Sequence, residues 1–191
     1  MVIDGSAGEG GGQVLRTALG LSLVTGKAFR ISRIRGGREK PGLLRQHLTC
    51  VKAAATLGEA EVRGAELGSM DLEFLPRGLR SGDFEFVIGS AGSTTLVLQA
   101  VLPALLHARA PTTLSIEGGT HNSLSPPFEF LQRSLLPVLT RMGAQVAVTL
   151  VRPGFEPAGG GRLEVRVTPS TLRSLELMQR VIHRAKRIAR I

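Results

Sequence analysis

The stretch Asp4-Gly-Ser-Ala-Gly-Glu-Gly-Gly-Gly-Gln runs directly into an apolar helical pattern that starts near Val14. Consecutive glycines let backbone N–H groups come close to an anion, and a helix start adds its positive dipole end, so a phosphate could sit here. Neither common nucleotide fingerprint fits: no Gly-Lys-Ser/Thr closes the loop, and the glycine spacing is not that of a dinucleotide fold. Glu9 inside the loop and Arg16 one turn into the helix would supply a carboxylate for a divalent cation and a guanidinium for a phosphate. A glycine turn without a ligand is the plainer alternative.

A second cluster, Arg30, Arg33, Arg35, Arg38, Lys40 and Arg45, holds Glu39 as its lone acid. Alternation along a strand would send Arg33 and Arg35 to one side, with Arg38 and Lys40 in the loop before the next helix. Arginines gathered ahead of a helix start suit a phosphate clamp, and a solvated rim is the alternative. Gln46 and His47 fall in the first turns of that helix. Gln99 interrupts an apolar helix, so it either hydrogen-bonds within the core or faces a pocket. The loop Gly118-Gly-Thr-His-Asn-Ser, followed by Pro126-Pro127, reads as rigid, but His121 has no carboxylate partner visible in the sequence. Cys50, among Leu48, Val51 and Ala54, reads as a buried, inert thiol.

The elements that must position these groups emerge when the chain is laid against itself. Residues 15–37 match residues 97–119 at a shift of 82, each pairing an apolar helix with a strand that ends in Gly-Gly. A second helix then opens at Pro41 in one copy and Pro127 in the other, and ends at Leu57-Gly58 and Met142-Gly143. Strands are expected at 61–63 and 145–150 after these helices, and at 70–74, 83–88 and 162–167, where apolar residues alternate. Each unit reads helix, strand, helix, strand, an α/β unit with two helices on one side of a small sheet. A period this long indicates a duplicated small domain rather than a solenoid. Residues 180–191 carry five Lys/Arg and no acid, with Val181, Ile182, Ala185, Ile188 and Ala189 on one helical face.

Composition narrows the function. The chain has 191 residues, 42% of them hydrophobic and 20% charged, which excludes a disordered chain. The 24 basic and 15 acidic side chains leave a net charge of +9, pointing to a polyanionic partner. With aromatics at only 4%, recognition should run through phosphates rather than stacked bases. One cysteine rules out an internal disulfide, and no apolar run approaches the roughly 20 residues of a membrane span. No secretion signal opens the sequence, so the expected location is cytoplasmic, away from membranes.

Four stretches together closely resemble the RNA 3′-terminal phosphate cyclases: the glycine loop with its helix; Ile34-Arg-Gly-Gly-Arg-Glu-Lys-Pro-Gly-Leu-Leu-Arg-Gln-His-Leu; Ile88-Gly-Ser-Ala-Gly-Ser-Thr-Thr-Leu-Val-Leu-Gln; and Gly118-Gly-Thr-His-Asn. Arg152-Pro-Gly-Phe-Glu-Pro-Ala-Gly-Gly-Gly adds to the likeness, which covers roughly residues 1–177. The resemblance implies an α/β fold of tandem two-helix, four-stranded units related to the enolpyruvate transferases. Two of the family's three copies are expected here, at 1–80 and 81–177, with 178–191 a basic amphipathic tail, the start of an inserted domain or non-native sequence. It also implies ATP-dependent conversion of an RNA 3′-phosphate to a 2′,3′-cyclic phosphate, through histidine–AMP and RNA-adenylate intermediates, with Mg²⁺ or Mn²⁺. By the same likeness Glu9 matches the family's metal-binding glutamate. Arg16, Arg35, Arg38, Gln46 and Gln99 match its nucleotide-binding residues, and Pro126 with Phe130 part of its adenine pocket. The nucleophilic histidine is expected beyond residue 191, since none of His47, His107, His121 and His183 sits in a matching motif. The expected partners are ATP and RNA 3′ ends, with a homodimer through exposed sheet edges left open. The alternative is a non-catalytic, RNA-binding cyclase-like protein.

Overall fold

The structure, a computed structural model, describes residues 1–177. The basic amphipathic pattern at 180–191 lies outside the described residues. Strand β1 (Val2–Asp4) leads through the glycine loop into α1 (Gln13–Thr25), and β2 (Phe29–Ser32) returns parallel to β1. Helix α2 (Arg45–Gly58), β3 (Glu61–Arg63) and β4 (Leu72–Leu75) complete a four-stranded sheet of order β1-β2-β4-β3. The chain then repeats the plan with β5 (Gly82–Val87), α3 (Thr94–Leu105) and β6 (Thr112–Gly118). A helical segment made of α4 (Phe128–Phe130), a π-helical turn (Leu131–Leu135) and α5 (Leu136–Arg141) follows, then β7 (Gln145–Arg152) and β8 (Gly161–Thr168). This second sheet has order β5-β6-β8-β7, the same connectivity as the first.

Period-two alternation sets which strand face is buried. In β6 the residues Thr112, Leu114 and Ile116 point inward, and in β8 Leu163, Val165 and Val167 do, all essentially inaccessible to water. Phe29 and Ile31 of β2 and Leu72 and Phe74 of β4 play the same part in the first sheet, with the Phe29 and Phe74 rings stacked 5.6 Å apart. Helices α1, α2 and α3 cover these faces and pack on one another, so both halves share one core.

The three helices run parallel. Arg16 reaches Gln99 and Gly20 abuts Ala100 along the α1–α3 contact, while Gln46 meets Ser93 and Cys50 meets Leu96 along α2–α3. Between α1 and α2, Gly12 abuts His47 at the start and Leu23 abuts Gly58 at the end. Close approach of α1 to α3 requires Gly20, because a Cβ there would lie 3.0 Å from the Ala100 carbonyl oxygen. The positive ends of α1, α2 and α3 therefore gather at one end of the molecule.

Several boundaries differ from the sequence reading. Strand β1 was not foreseen, and β2 stops at Ser32 rather than Ile34. Arg33 and Arg35 adopt left-handed backbone angles, with φ of 53° and 56°, so they do not alternate along a strand and part company. Arg33 pairs with Asp4, whereas Arg35 turns back to donate to the carbonyls of Lys40 and Gly42. Helix α2 starts at Arg45, so Pro41 lies in the approach loop and not in the first turn. Gly58 is still helical, and Glu59 takes the left-handed position after it. Pro127 does stand immediately before its helix, but that helix is interrupted by the π-helical turn.

Candidate functional site: a basic cleft at three helix starts

The glycine loop is shaped first by its own backbone packing. The Gly5 N–H donates to the Ser32 carbonyl at 2.7 Å, and the Gly37 N–H to the Gly10 carbonyl at 3.2 Å. A Cβ on Gly10, whose φ is +55°, would sit 2.6 Å from the Gly37 nitrogen. Part of the glycine content thus allows two backbones to touch, and the turn at 33–38 is pressed beneath the loop. That contact carries Arg35 and Arg38 to the side of the loop that lines the basic cleft.

Around the loop lies a cleft of about 530 Å³. Glu9, Arg16, Arg35, Arg38 and Gln46 all line it. Arg38 lies across Gly11 and pairs with Glu9 at 3.3 Å. Gln46 accepts from the Ser93 N–H at 2.6 Å, tying the start of α2 to the start of α3. Gln99 is not in the lining. It is exposed and accepts from Arg16 Nε at 3.3 Å, holding the guanidinium from behind. Pro126 and Phe130 also stay outside the lining. The Pro126 carbonyl accepts from Thr95 at 2.8 Å and the Phe130 ring is about half exposed.

Arg16 decides the electrostatics. It is only 8% exposed, and its polar partners are neutral, Gln13 at 3.0 Å and Gln99. Burial lowers its pKa, and no carboxylate among the described residues lies within 4 Å of it. A buried guanidinium without an anion is costly, so its surroundings favour an anionic ligand. Among the described residues, Arg35 is likewise bonded only to backbone carbonyls. Among the described residues neither α1 nor α2 receives a side-chain cap at its start, which leaves their first N–H groups available to a ligand.

His47 also lines the cleft and is 8% exposed, with no partner for Nδ1 among the described residues. Burial, then the Arg35 and Arg16 charges, pushes its pKa down to about 3, so the ring is neutral. His47 faces the opening yet was read only as a helix-start residue. Its type and place in α2 gave no sign of burial. Cys50, by contrast, is fully buried with its thiol pushed up to about 12, an inert group as expected.

The far wall comes from the second half of the chain: Ser93, Leu96, residues 122–125 and Glu156. His121 braces this wall. Its Nδ1 meets the Thr120 hydroxyl at 2.7 Å, its Nε2 meets Glu129 at 3.0 Å, and its ring stacks on Phe155 at 5.2 Å. The expectation that His121 lacks a carboxylate partner is therefore overturned. Glu129, eight residues on, is brought to it by the start of α4. The Thr120 hydroxyl accepts from the Gly154 N–H at 2.9 Å and its residue is only 1% exposed, so the trio of Thr, His and Glu braces the wall from within. Glu156, next to Phe155, was missed because nothing in the sequence shows that its loop folds against residues 118–121.

Among the described residues no three His, Cys, Asp or Glu side chains come together to enclose a metal ion. Glu9 is 92% exposed and paired with Arg38. Such a donor set does not fit a resident metal cage. It does fit a Mg²⁺-type ion delivered on phosphate oxygens, which needs only one or two carboxylates from the protein. No helix among the described residues is long and apolar enough to cross a membrane.

The family model for RNA 3′-terminal phosphate cyclase matches residues 7–185. An RNA 3′-terminal phosphate cyclase of Ectopseudomonas mendocina is 59% identical over 92% of this chain and 51% of its own length. Proteins of the same name from Koribacter versatilis and Ralstonia nicotianae are 54% and 56% identical, over 94% and 93% of this chain. The chain spans about half the length of the curated relatives it matches. With the match running from the glycine loop through both sheets, the chain belongs to the RNA 3′-terminal phosphate cyclase family.

Proposed function

We propose that the cleft grips the triphosphate of ATP and that the chain serves ATP-dependent cyclisation of RNA 3′-terminal phosphates. The carrying observation is Arg16, a buried guanidinium with no acidic partner among the described residues, placed where three parallel helices begin. Arg16, Arg35 and Arg38 would contact phosphate oxygens together with the free N–H groups of α1 and α2. Gln99 would keep Arg16 in place, and Gln46 would lock α2 to α3 so that the helix starts stay aligned. Glu9 would turn from Arg38 toward a divalent cation carried on the nucleotide, which supplies neutralisation of phosphate charge. Pro126 and Phe130 would meet the base, which places the phosphates on the arginine side.

The net reaction consumes ATP and an RNA 3′-phosphate and yields the 2′,3′-cyclic phosphate, AMP and pyrophosphate. A histidine takes AMP from ATP with release of pyrophosphate. The RNA phosphate then takes over the AMP, and the adjacent 2′-hydroxyl displaces it. Activation turns a phosphate oxygen into a good leaving group, and in-line geometry with charge neutralisation does the rest. His107 lies at the opposite end of the helices, His121 is held by Glu129 and Thr120, and His47 is buried. We assign the nucleophile to none of them, and read residues 1–80 and 81–177 as two of the family's three units. Cytoplasmic RNA processing is the setting that suits such a reaction.

Calorimetric titration with ATP, ADP and adenosine, with Mg²⁺ present, tests the phosphate side directly. Affinity should rise with the number of phosphates and fall in Arg38→Ala. Equal binding of adenosine and ATP would overturn the assignment.

A further inference from the structure

The cleft does not end at Gln46 and His47. Both side chains also line a depression of about 500 Å³ on the other side of α2's first turn, together with Leu44 and Leu67. Arg45 and Leu67 carry this depression into another of about 560 Å³, between α2 and strand β5, reaching Lys52, Thr56 and Val87. These two adjoining depressions form a groove beside the basic cleft, across the first turn of α2 from it, and follow α2 from Arg45 to Thr56, about 16 Å at the helical rise.

Its chemistry is distinctive. Arg45 and Lys52, two helical turns apart on one face, make no ion pair with any described residue, and Glu85 is the one acid in the lining. The same lining carries apolar surfaces open to water: Leu44 at 40% exposure, Leu67 at 56% and Val87 at 55%. The far wall is strand β5, which among the described residues pairs with β6 alone and leaves its outer edge unpaired. Cations spaced along a channel match a single nucleic-acid strand, whose successive phosphates meet them.

We propose that this groove holds the RNA strand leading to the 3′ end, with the terminal phosphate in the basic cleft and the preceding nucleotides along Arg45 and Lys52. The inference rests on the phosphate reading of the cleft and adds the route of the polymer. A substrate whose reacting end is buried between three helix starts must leave by a channel. This groove shares residues with the cleft and carries unpaired positive charge.

The test measures anisotropy of 5′-labelled, 3′-phosphorylated oligoribonucleotides, a dinucleotide and a hexanucleotide, against the wild-type chain and Lys52→Ala. The hexanucleotide should bind wild type more tightly than the dinucleotide. Lys52→Ala should weaken only the hexanucleotide and lower its log–log salt slope by about 0.7, the value of one lost single-strand phosphate contact. ATP affinity should not change, because Lys52 lies outside the cleft. If the two lengths bind alike, or Lys52→Ala leaves the hexanucleotide and its slope unchanged, the groove is not the route, while retained ATP and dinucleotide binding would keep the cleft reading intact. Loss of all three ligands from the wild-type chain would overturn both. Sedimentation of wild type and Val87→Asp checks the competing occupant: a dimer that dissociates in the variant assigns the groove to a second copy and overturns the proposal.

Discussion

Replacing Arg16 by methionine should weaken ligand binding while sparing the ligand-free fold, two effects that a purely structural arginine would not separate. The side chain is 8% exposed, donates to Gln13 at 3.0 Å and Gln99 at 3.3 Å, and has no acidic partner among the described residues. Methionine has a similar length and removes a buried charge whose desolvation only neutral groups offset. The two glutamines are exposed and turn to water, so unfolding free energy should stay within about 1 kcal/mol of wild type or rise. In the ATP complex the loss is a charge-assisted hydrogen bond, about 1.5–3 kcal/mol, which corresponds to roughly 10- to 150-fold weaker binding. Urea denaturation of the free chain and calorimetric titration with ATP read the two quantities on the same preparations. Stability lower by more than about 2 kcal/mol with ATP affinity unchanged would refute the argument that this charge awaits an anion.

Acid should expose His47. Its pKa falls from 6.5 to about 3 on folding, so between those values the unfolded chain takes up a proton that the folded chain refuses, and stability drops as pH falls. The loss from this group is about 2 kcal/mol between pH 8 and pH 5, and His47→Gln should remove it from urea curves at the two pH values; an unchanged pH slope would count against the buried, neutral ring. At the far wall, a double-mutant cycle of His121→Ala and Glu129→Ala should show a coupling energy of about 0.5–1.5 kcal/mol in denaturation, since one contact is removed by either change. Additive effects would mean that the brace does not hold.

The helical periodicity and the internal match at a shift of 82 were enough to place α1, α2 and α3, because these are long segments with an apolar face. What the sequence concealed are features that arise from contact between distant segments. Strand β1 is only three residues long, too short for alternation to show, and exists because β2 pairs with it. Arg33 and Arg35 look like strand residues until the glycine loop pulls the chain into a turn with left-handed angles at both. Of the residues lining the cleft, Glu9, Arg16, Arg35 and Arg38 stand out because glycine motif and charge coincide, whereas only the family likeness singles out Gln46. His47, Glu156 and the His121–Glu129 pair do not stand out, since burial and loop-to-loop contact decide their roles.

Three parallel helices side by side place like dipole ends together, and the first turns of α1 and α2 have no capping side chain among the described residues. Three arginines are then drawn to the same end, one of them buried and none matched by a buried acid. Taken without a ligand, each of these choices opposes folding. The apolar faces of the two sheets and the shared helical core must offset them. An anion in the cleft reverses the sign of all three at once: it meets the dipoles, the free N–H groups and the guanidinium charges. Affinity for polyphosphate and stability of the fold are therefore coupled through the same atoms. The Arg16 substitution separates them because it removes a cost of the empty cleft and a contact of the filled one in a single change.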